Sequence, residues 1–218
     1  MLPRLLDALN KNSLNQKFRR KRFILMKQLI DRFEKPVSIL DIGGTYNYWQ
    51  NMDFNAGNGV KITLLNLKKE EVNHPNFESV VGDATDLKEY NNNSFDIVFS
   101  NSVIEHLYTF ENQIKMAKEV CRVGKTYYIQ TPNKWFPIEP HWLVPFFQFL
   151  PFKMKVHLTK NFNLGTYRKL SSIEAARRCV LEVRLMTEKE MKQIFEEAHI
   201  WKEKFFLFTK SIVAIKGL

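Results

Sequence analysis

Two cysteines in 218 residues, Cys121 and Cys179, are too few and too widely separated to staple a fold. Both lie in segments with helical patterning, with no CxxC pair and no histidine at ligand spacing nearby, which speaks for a reducing compartment and against a structural metal. Long apolar runs are missing as well. Residues 1–23 hold no uninterrupted apolar stretch ahead of a small-residue cleavage site, so a secretory leader is not expected. The most apolar window, residues 135–152, is broken by Pro137, Pro140, Pro145 and Pro151 and carries Glu139 and His141 inside it. It reads as a lid or wall rather than a membrane span, and a cytoplasmic chain is expected. Internal repeats and low-complexity segments are also lacking, and the asparagine triplet at 91–93 reads as a surface turn.

What is present suits one globular domain: 44% hydrophobic residues and a formal charge of +10. Such a charge points toward an anionic partner, whether nucleic acid, a membrane surface or an acidic substrate. Its densest run is Lys17, Arg19, Arg20, Lys21 and Arg22, ahead of Phe23, Met26, Ile30 and Phe33 at three- and four-residue steps. That pattern predicts an amphipathic helix with a basic outer face, within an N-terminal cap over residues 1–36.

From residue 37 onward short β-rich runs alternate with helical patterns. Strands are expected at 37–40, 60–67, 79–81, 95–100 and 126–130, with a helix over 110–123 that Gly124 caps. The order implies a mostly parallel, doubly wound α/β sheet with helices on both faces, in which ligands bind beyond the carboxyl ends of the strands. An insertion at 131–185 follows the fifth strand and holds a helical segment at 173–184. Thr187 to Glu190 then form a capping box ahead of Met191, Ile194, Phe195 and Ala198. Two β-rich runs, 205–208 and 211–215, predict an antiparallel pair that closes the sheet.

The stretch VSILDIGGTYNYW, residues 37–49, ends a strand in Asp41 and passes into Gly43 and Gly44, which let backbone approach a ligand closely. A dinucleotide fingerprint needs three glycines in GxGxxG and an acid about 20 residues on. Thr45 and Asn47 break the glycine pattern, and the second strand ends in Asn66. No phosphate-cradling loop is present either. Further on, VVGDATDL places Asp83 just past the third strand, and FDIVFSNSVIEHL leads from the fourth strand into a polar turn.

With these four segments in order, residues 35–130 and, more loosely, the last 35 residues resemble the class I S-adenosylmethionine-dependent methyltransferases, in particular their type 11, UbiE-like branch. The resemblance implies a Rossmann-like, seven-stranded sheet with an antiparallel C-terminal strand, and S-adenosylmethionine as cofactor. It places the methionine end of the cofactor at Asp41, Gly43, Gly44 and Thr45, and the ribose at Asn66 and Leu67. Adenine falls to Asp83 and Ala84, while Asn101 and Ser102 line the methionine side. Where the family usually carries a carboxylate for the ribose, this chain has an amide, which bonds a hydroxyl without charge assistance. Tyr46, Tyr48 and Trp49 are candidates both for aromatic faces near the cationic sulfur and for ordinary core packing.

Methyl transfer from a sulfonium is an in-line displacement, so alignment in a dry pocket does much of the work. A general base is needed only where the acceptor loses a proton, and the TPNKWFPIEPHW segment after the fifth strand offers Glu139 and His141. His106, in IEHL, reads as a brace for its turn. A metal would require several of His74, His106, Glu139, His141 and His157 to converge, and only Glu139 and His141 are closely spaced; none is expected. The expected reaction is methyl transfer to a small-molecule acceptor at oxygen, nitrogen or carbon, by a monomer or homodimer. RNA is the alternative acceptor, a cofactor-binding scaffold without catalysis the alternative class. The lid with Lys153 and Lys155 also suggests peripheral contact with a membrane.

Overall fold

The computed structural model describes residues 14–54, 57 and 59–218. The part of the N-terminal cap at residues 1–13 lies outside them. Seven strands form one sheet: β1 Val37–Ile42, β2 Val60–Asn66, β3 Phe77–Val81, β4 Phe95–Asn101, β5 Gly124–Pro132, β6 His199–Phe205 and β7 Phe208–Lys216. Their order is β3-β2-β1-β4-β5-β7-β6, with β1 to β5 parallel and β7 antiparallel to both β5 and β6. The expected doubly wound sheet with an antiparallel C-terminal strand is therefore present. Its winding reverses between β1 and β4, the point at which such sheets open a crevice at their carboxyl edge.

Apolar residues on the two faces of the strands recruit different helices. On one side, Leu40, Val98, Tyr127 and Ile129 pack against Met116, Ala117 and Val120 of α3 (Phe110–Val123) and Met191 of α6 (Glu188–Ile194). On the other, Ile39, Ile62, Ile97 and Phe99 meet Phe23, Met26 and Leu29 of α1 (Leu14–Ile30) and Trp49 of α2 (Tyr46–Asn51). The predicted capping box of Thr187 and Glu190 opens α6 in both its hydrogen bonds. A third, smaller cluster holds the insertion together: Trp142, Phe147 and Val156 with Ala176 and Val180, from α4 (Phe152–Asn161) and α5 (Ile173–Glu182).

One local expectation holds and one is corrected. Gly124 is the C-cap of α3, its N–H donating to the Val120 carbonyl, and it is also the first residue of β5, in extended conformation. A side chain there would press on Val98 Cγ2 at 2.6 Å, so close strand packing is what requires glycine. The expected strand at 205–208 instead straddles a hairpin turn: β6 ends at Phe205, β7 starts at Phe208, and Phe206 lies in the left-handed region at φ 50°.

The basic run of α1 is divided among three jobs. Arg22 is buried and donates from Nη1 to Glu203 Oε2 at 2.7 Å, an oxygen that also accepts from Ser211 Oγ at 3.0 Å. Arg20 pairs with Asp53 at the surface. Arg19 turns toward the carboxyl edge of the sheet, where it lines a cleft. Because Glu203→Ala would strand the Arg22 guanidinium in the core, it is expected to cost about 3–5 kcal/mol, read by urea unfolding. A loss below about 1 kcal/mol would show that the pair stabilises little.

Candidate active site

At the winding reversal a cleft of about 680 Å³, open to solvent, is lined by Asp41, Gly43, Gly44 and Thr45 from the β1 end and by Phe99 and Asn101 from β4. Gln16 and Arg19 of α1 and Tyr48 of α2 form its other walls. Its place at the carboxyl edge beside the winding reversal is where such sheets bind ligands.

Its floor is the β1–α2 turn. Gly43 sits at φ +72°, and a side chain there would collide with Val103. Gly44 lies so close to Asp41 that a methyl group would overlap the carboxylate. Asn66 Nδ2 donates to the Gly44 carbonyl at 2.8 Å, and Gly43 N–H donates to the Leu65 carbonyl at 2.8 Å, so the end of β2 holds the loop in place. The amide that replaces the expected carboxylate thus braces the glycine turn, with its side-chain oxygen left as the acceptor for a hydroxyl. Thr45 caps α2 by accepting from Tyr48 N–H at 3.2 Å.

Asp41 is fully buried, and its Oδ2 accepts from Trp49 Nε1 at 2.7 Å. Its Oδ1 has no hydrogen-bond partner among the described residues. Burial raises its pKa to about 7; the Trp49 bond works against that shift and the Glu70 charge adds to it. An acid with an unpartnered oxygen at the floor of a cleft fits a ligand that brings a cation.

The aromatics of VSILDIGGTYNYW part company. Trp49 is core, packed on Phe54 and Phe99 with ring centroids 5.2 and 5.4 Å away. Tyr46 lies edge-on to Phe77 at 4.9 Å, toward β3. Tyr48, half-buried and tilted over Phe99 at 5.7 Å, is the one of the three on the cleft wall.

Asp83 is exposed past β3, and its Oδ1 accepts from Thr85 N–H and Oγ1 at 2.8 Å each, an Asx turn that leaves Oδ2 outward. Ala84 is buried beside it, and Leu67 is 79% exposed. Ser102, in left-handed conformation at φ 60°, turns to β5, where its Oγ meets Gln130 Oε1 at 2.9 Å. Sequence reasoning did not single out Gln16 or Arg19 as cleft residues; the basic run was the signal for the second, but its direction depended on how α1 docks.

Beyond the ends of β4 and β5 lies a polar cluster. Glu139, buried, accepts at Oε2 from His141 N–H and Trp142 N–H, both at 2.7 Å, and its Oε1 lies 2.7 Å from His141 Nδ1. With both oxygens committed, Glu139 orients His141. The opposite ring nitrogen, Nε2, is 3.3 Å from His106 Nε2. Burial opposes the charged His141, but the Glu139 carboxylate overrides it and raises the pKa, whereas burial and His141 together lower that of His106 to about 4. Glu105 is fully buried, held at Oε2 by Thr131 Oγ1 at 2.9 Å. A second cleft, of about 580 Å³, opens under the insertion with Glu139, Lys134 and Lys155 on its lining.

Comparison with known proteins agrees with this geometry. Residues 44–127 match the family model described as a methyltransferase domain. An S-adenosylmethionine-dependent methyltransferase of Clostridium acetobutylicum superposes with a TM-score of 0.53 at 11% identity, covering 91% of this chain and 90% of the other. One from Methanosarcina mazei gives 0.51 at 16% identity, covering 88% and 97%. Phosphoethanolamine N-methyltransferase 2 of Haemonchus contortus, solved with S-adenosyl-L-methionine, gives 0.52 at 16% identity over 88% of this chain and 39% of that one. An uncharacterized protein of Mycobacterium tuberculosis (strain ATCC 25618 / H37Rv) is 38% identical over 53 residues, a match that spans 24% of this chain and 18% of that protein.

Proposed function

We propose that this chain, whose residues 44–127 match a methyltransferase domain, transfers a methyl group from S-adenosylmethionine to a small-molecule acceptor at the carboxyl edge of its sheet. The single observation that supports this most is the unpartnered, buried Oδ1 of Asp41 beneath the glycine turn. S-adenosylmethionine, when bound, supplies an electrophilic methyl group on sulfur. Asp41 holds the ammonium of the cofactor's amino acid, Arg19 its carboxylate, and Asn66 and Leu67 flank the ribose. Asp83 and Ala84 receive the adenine edge, and Tyr48 presents a ring to the cation. The methyl acceptor meets the cluster around His141, which Glu139 positions.

Asp41 gives this reading a pH signature. Without ligand its carboxyl stays protonated up to about pH 7, because burial favours the neutral acid and Glu70 reinforces it while the Trp49 hydrogen bond opposes it. An ammonium ligand requires the carboxylate, so binding releases a proton, and affinity falls as pH drops below 7. S-adenosylhomocysteine is expected to bind about 25-fold more weakly at pH 5.5 than at pH 7.5 by calorimetry. A flat profile would remove Asp41 from the ammonium site.

Two features bear on the acceptor. On α1, Arg22 is spent on a buried pair and Arg19 faces the cleft, while Lys17, Arg20, Lys21 and Lys27 are exposed, so RNA stays the alternative acceptor that the labelling below tests. Around the sheet's end, Phe206 and Leu207 at the hairpin tip are 85% and 92% exposed, and Phe205 touches Phe136 at 6.2 Å. Trp135 stacks on Phe149 at 5.4 Å with both rings largely exposed, and Lys134 and Lys153 lie in the same segment. Among the described residues no helix is long and apolar enough to cross a membrane. Exposed aromatics set among lysines suit the interface of an anionic bilayer, as for a lipid-linked acceptor. Vesicles rich in phosphatidylserine are expected to co-sediment the chain, and Phe206→Ser with Leu207→Ser to weaken that at least about tenfold. Equal recovery with and without vesicles would remove the membrane.

Methyl-labelled S-adenosylmethionine tests the reaction class. Incubated with separated small-molecule, lipid and RNA fractions of a cell extract, the chain is expected to label the small-molecule or lipid fraction. Label confined to RNA would favour the alternative acceptor, and label in no fraction a cofactor-binding scaffold.

A further inference from the structure

We infer that Glu105, His106 and His141 form a site for one divalent transition-metal ion of the zinc type, at the acceptor side of the sheet edge. Three independent features converge. The Nε2 atoms of His106 and His141 are 3.3 Å apart. Two imidazole nitrogens bound at 2.0–2.1 Å to one tetrahedral ion are separated by about 3.3 Å, so the rings already stand at the spacing of a shared ion.

The His141 ring also has a carboxylate behind it. Glu139 Oε1 is 2.7 Å from His141 Nδ1, which places the proton there and frees the Nε2 lone pair, the arrangement in which histidine ligates. His106 Nδ1 makes no hydrogen bond among the described residues, and Glu182 Oε1 lies 3.5 Å from it. The third feature is Glu105, fully buried, with Oε2 on Thr131 and no hydrogen bond at Oε1. Ligand atoms of the three residues lie within 4.8 Å of one another. A single proton shared between the two rings would account for their distance but would leave the Glu105 oxygen unsatisfied.

Two imidazoles and one carboxylate suit zinc and its neighbours rather than magnesium or calcium, and three protein ligands leave a coordination position open. The cluster gathers three carboxylates in a chain of net charge +10, so a cation is locally favoured. This departs from the expectation of no metal: His106 and His141 are among the candidates, but 35 residues separate them and only the fold brings them together. The consequence for the reaction rests on the methyl-transfer reading. A hydroxyl bound at the open position loses its proton to solvent, and its oxygen forms the new O–C bond as the methyl–sulfur bond breaks, its electron pair staying on sulfur. The acceptor class is thereby narrowed to hydroxyl compounds.

Ion binding is measured without any acceptor. Chelator-stripped protein is titrated with Zn²⁺ against a chromophoric chelator and, separately, with Co²⁺ while visible absorption is followed. One ion per chain and intense four- or five-coordinate Co²⁺ bands are expected. His106→Ala and His141→Ala should each lower Zn²⁺ affinity at least about 100-fold and Glu105→Gln about 10- to 100-fold. Only the weak octahedral spectrum of aqueous Co²⁺ with the wild type, or one-to-one Zn²⁺ binding that persists in the double histidine variant, would overturn the site. The wild-type spectrum decides even if the variants fail to fold. S-adenosylhomocysteine binding, measured on the same stripped protein, separates failure of the metal site from failure of the methyltransferase reading.

Discussion

A Gly44→Ala chain is expected to bind S-adenosylhomocysteine about 100-fold more weakly than the wild type. The added methyl group overlaps the Asp41 carboxylate, which cannot swing away without giving up its bond to Trp49 Nε1 inside the core. The alternative is for the loop to move, and that breaks the Asn66 bond to the Gly44 carbonyl. Either route loses one buried hydrogen bond and misplaces the ligand's anchor, together about 3 kcal/mol. Urea unfolding of the same variant separates lost binding from lost fold. Affinity within about threefold of the wild type would mean that the ligand does not use this turn.

The second large effect is expected at the acceptor side. His141→Ala should lower methyl transfer to the fraction labelled by the wild type by about 100- to 10,000-fold, while S-adenosylhomocysteine affinity stays unchanged. Glu139→Gln should lose about tenfold, because it still accepts the backbone N–H groups of His141 and Trp142 but no longer supports a protonated Nδ1 with a charge. Wild-type turnover in His141→Ala would move the chemistry elsewhere, and a parallel fall in cofactor affinity would make the residue merely structural.

Much of the sheet was legible because its signals are local. Each parallel strand is a short apolar run; Asp41 and Asn101 lie at the ends of their strands and Gly43 and Gly44 follow β1 directly, so the register alone carries them to one edge. Gly124 reads as a helix cap, which it is, but its close packing on Val98 at the start of β5 depends on the sheet and has no local signal. The hairpin turn was displaced because Phe206 and Leu207 carry none of the usual turn chemistry; their exposure points to a job outside the fold. Pattern alone could not say that Trp49 belongs to the core while Tyr48 faces the cleft, since both lie on one six-residue helix. Pairs that depend on docking were invisible: Arg22 with Glu203 across 181 residues, and His106 with His141 across 35.

The chemistry divides along the same line. In the proposed reading the methionine end of the cofactor is anchored by one contiguous loop, which the resemblance named residue by residue. The proposed acceptor side is assembled from the turn after β4, the segment after β5 and α5, three pieces whose separate patterns describe only a turn, a proline-rich wall and an amphipathic helix.

Calorimetric titration of wild-type chain with S-adenosylhomocysteine at pH 7.5 tests the central claim most directly. The account predicts one molecule bound per chain with a dissociation constant in the micromolar range, about −8 kcal/mol, and proton release that grows as pH is lowered toward 7. No binding up to about 1 mM would contradict it.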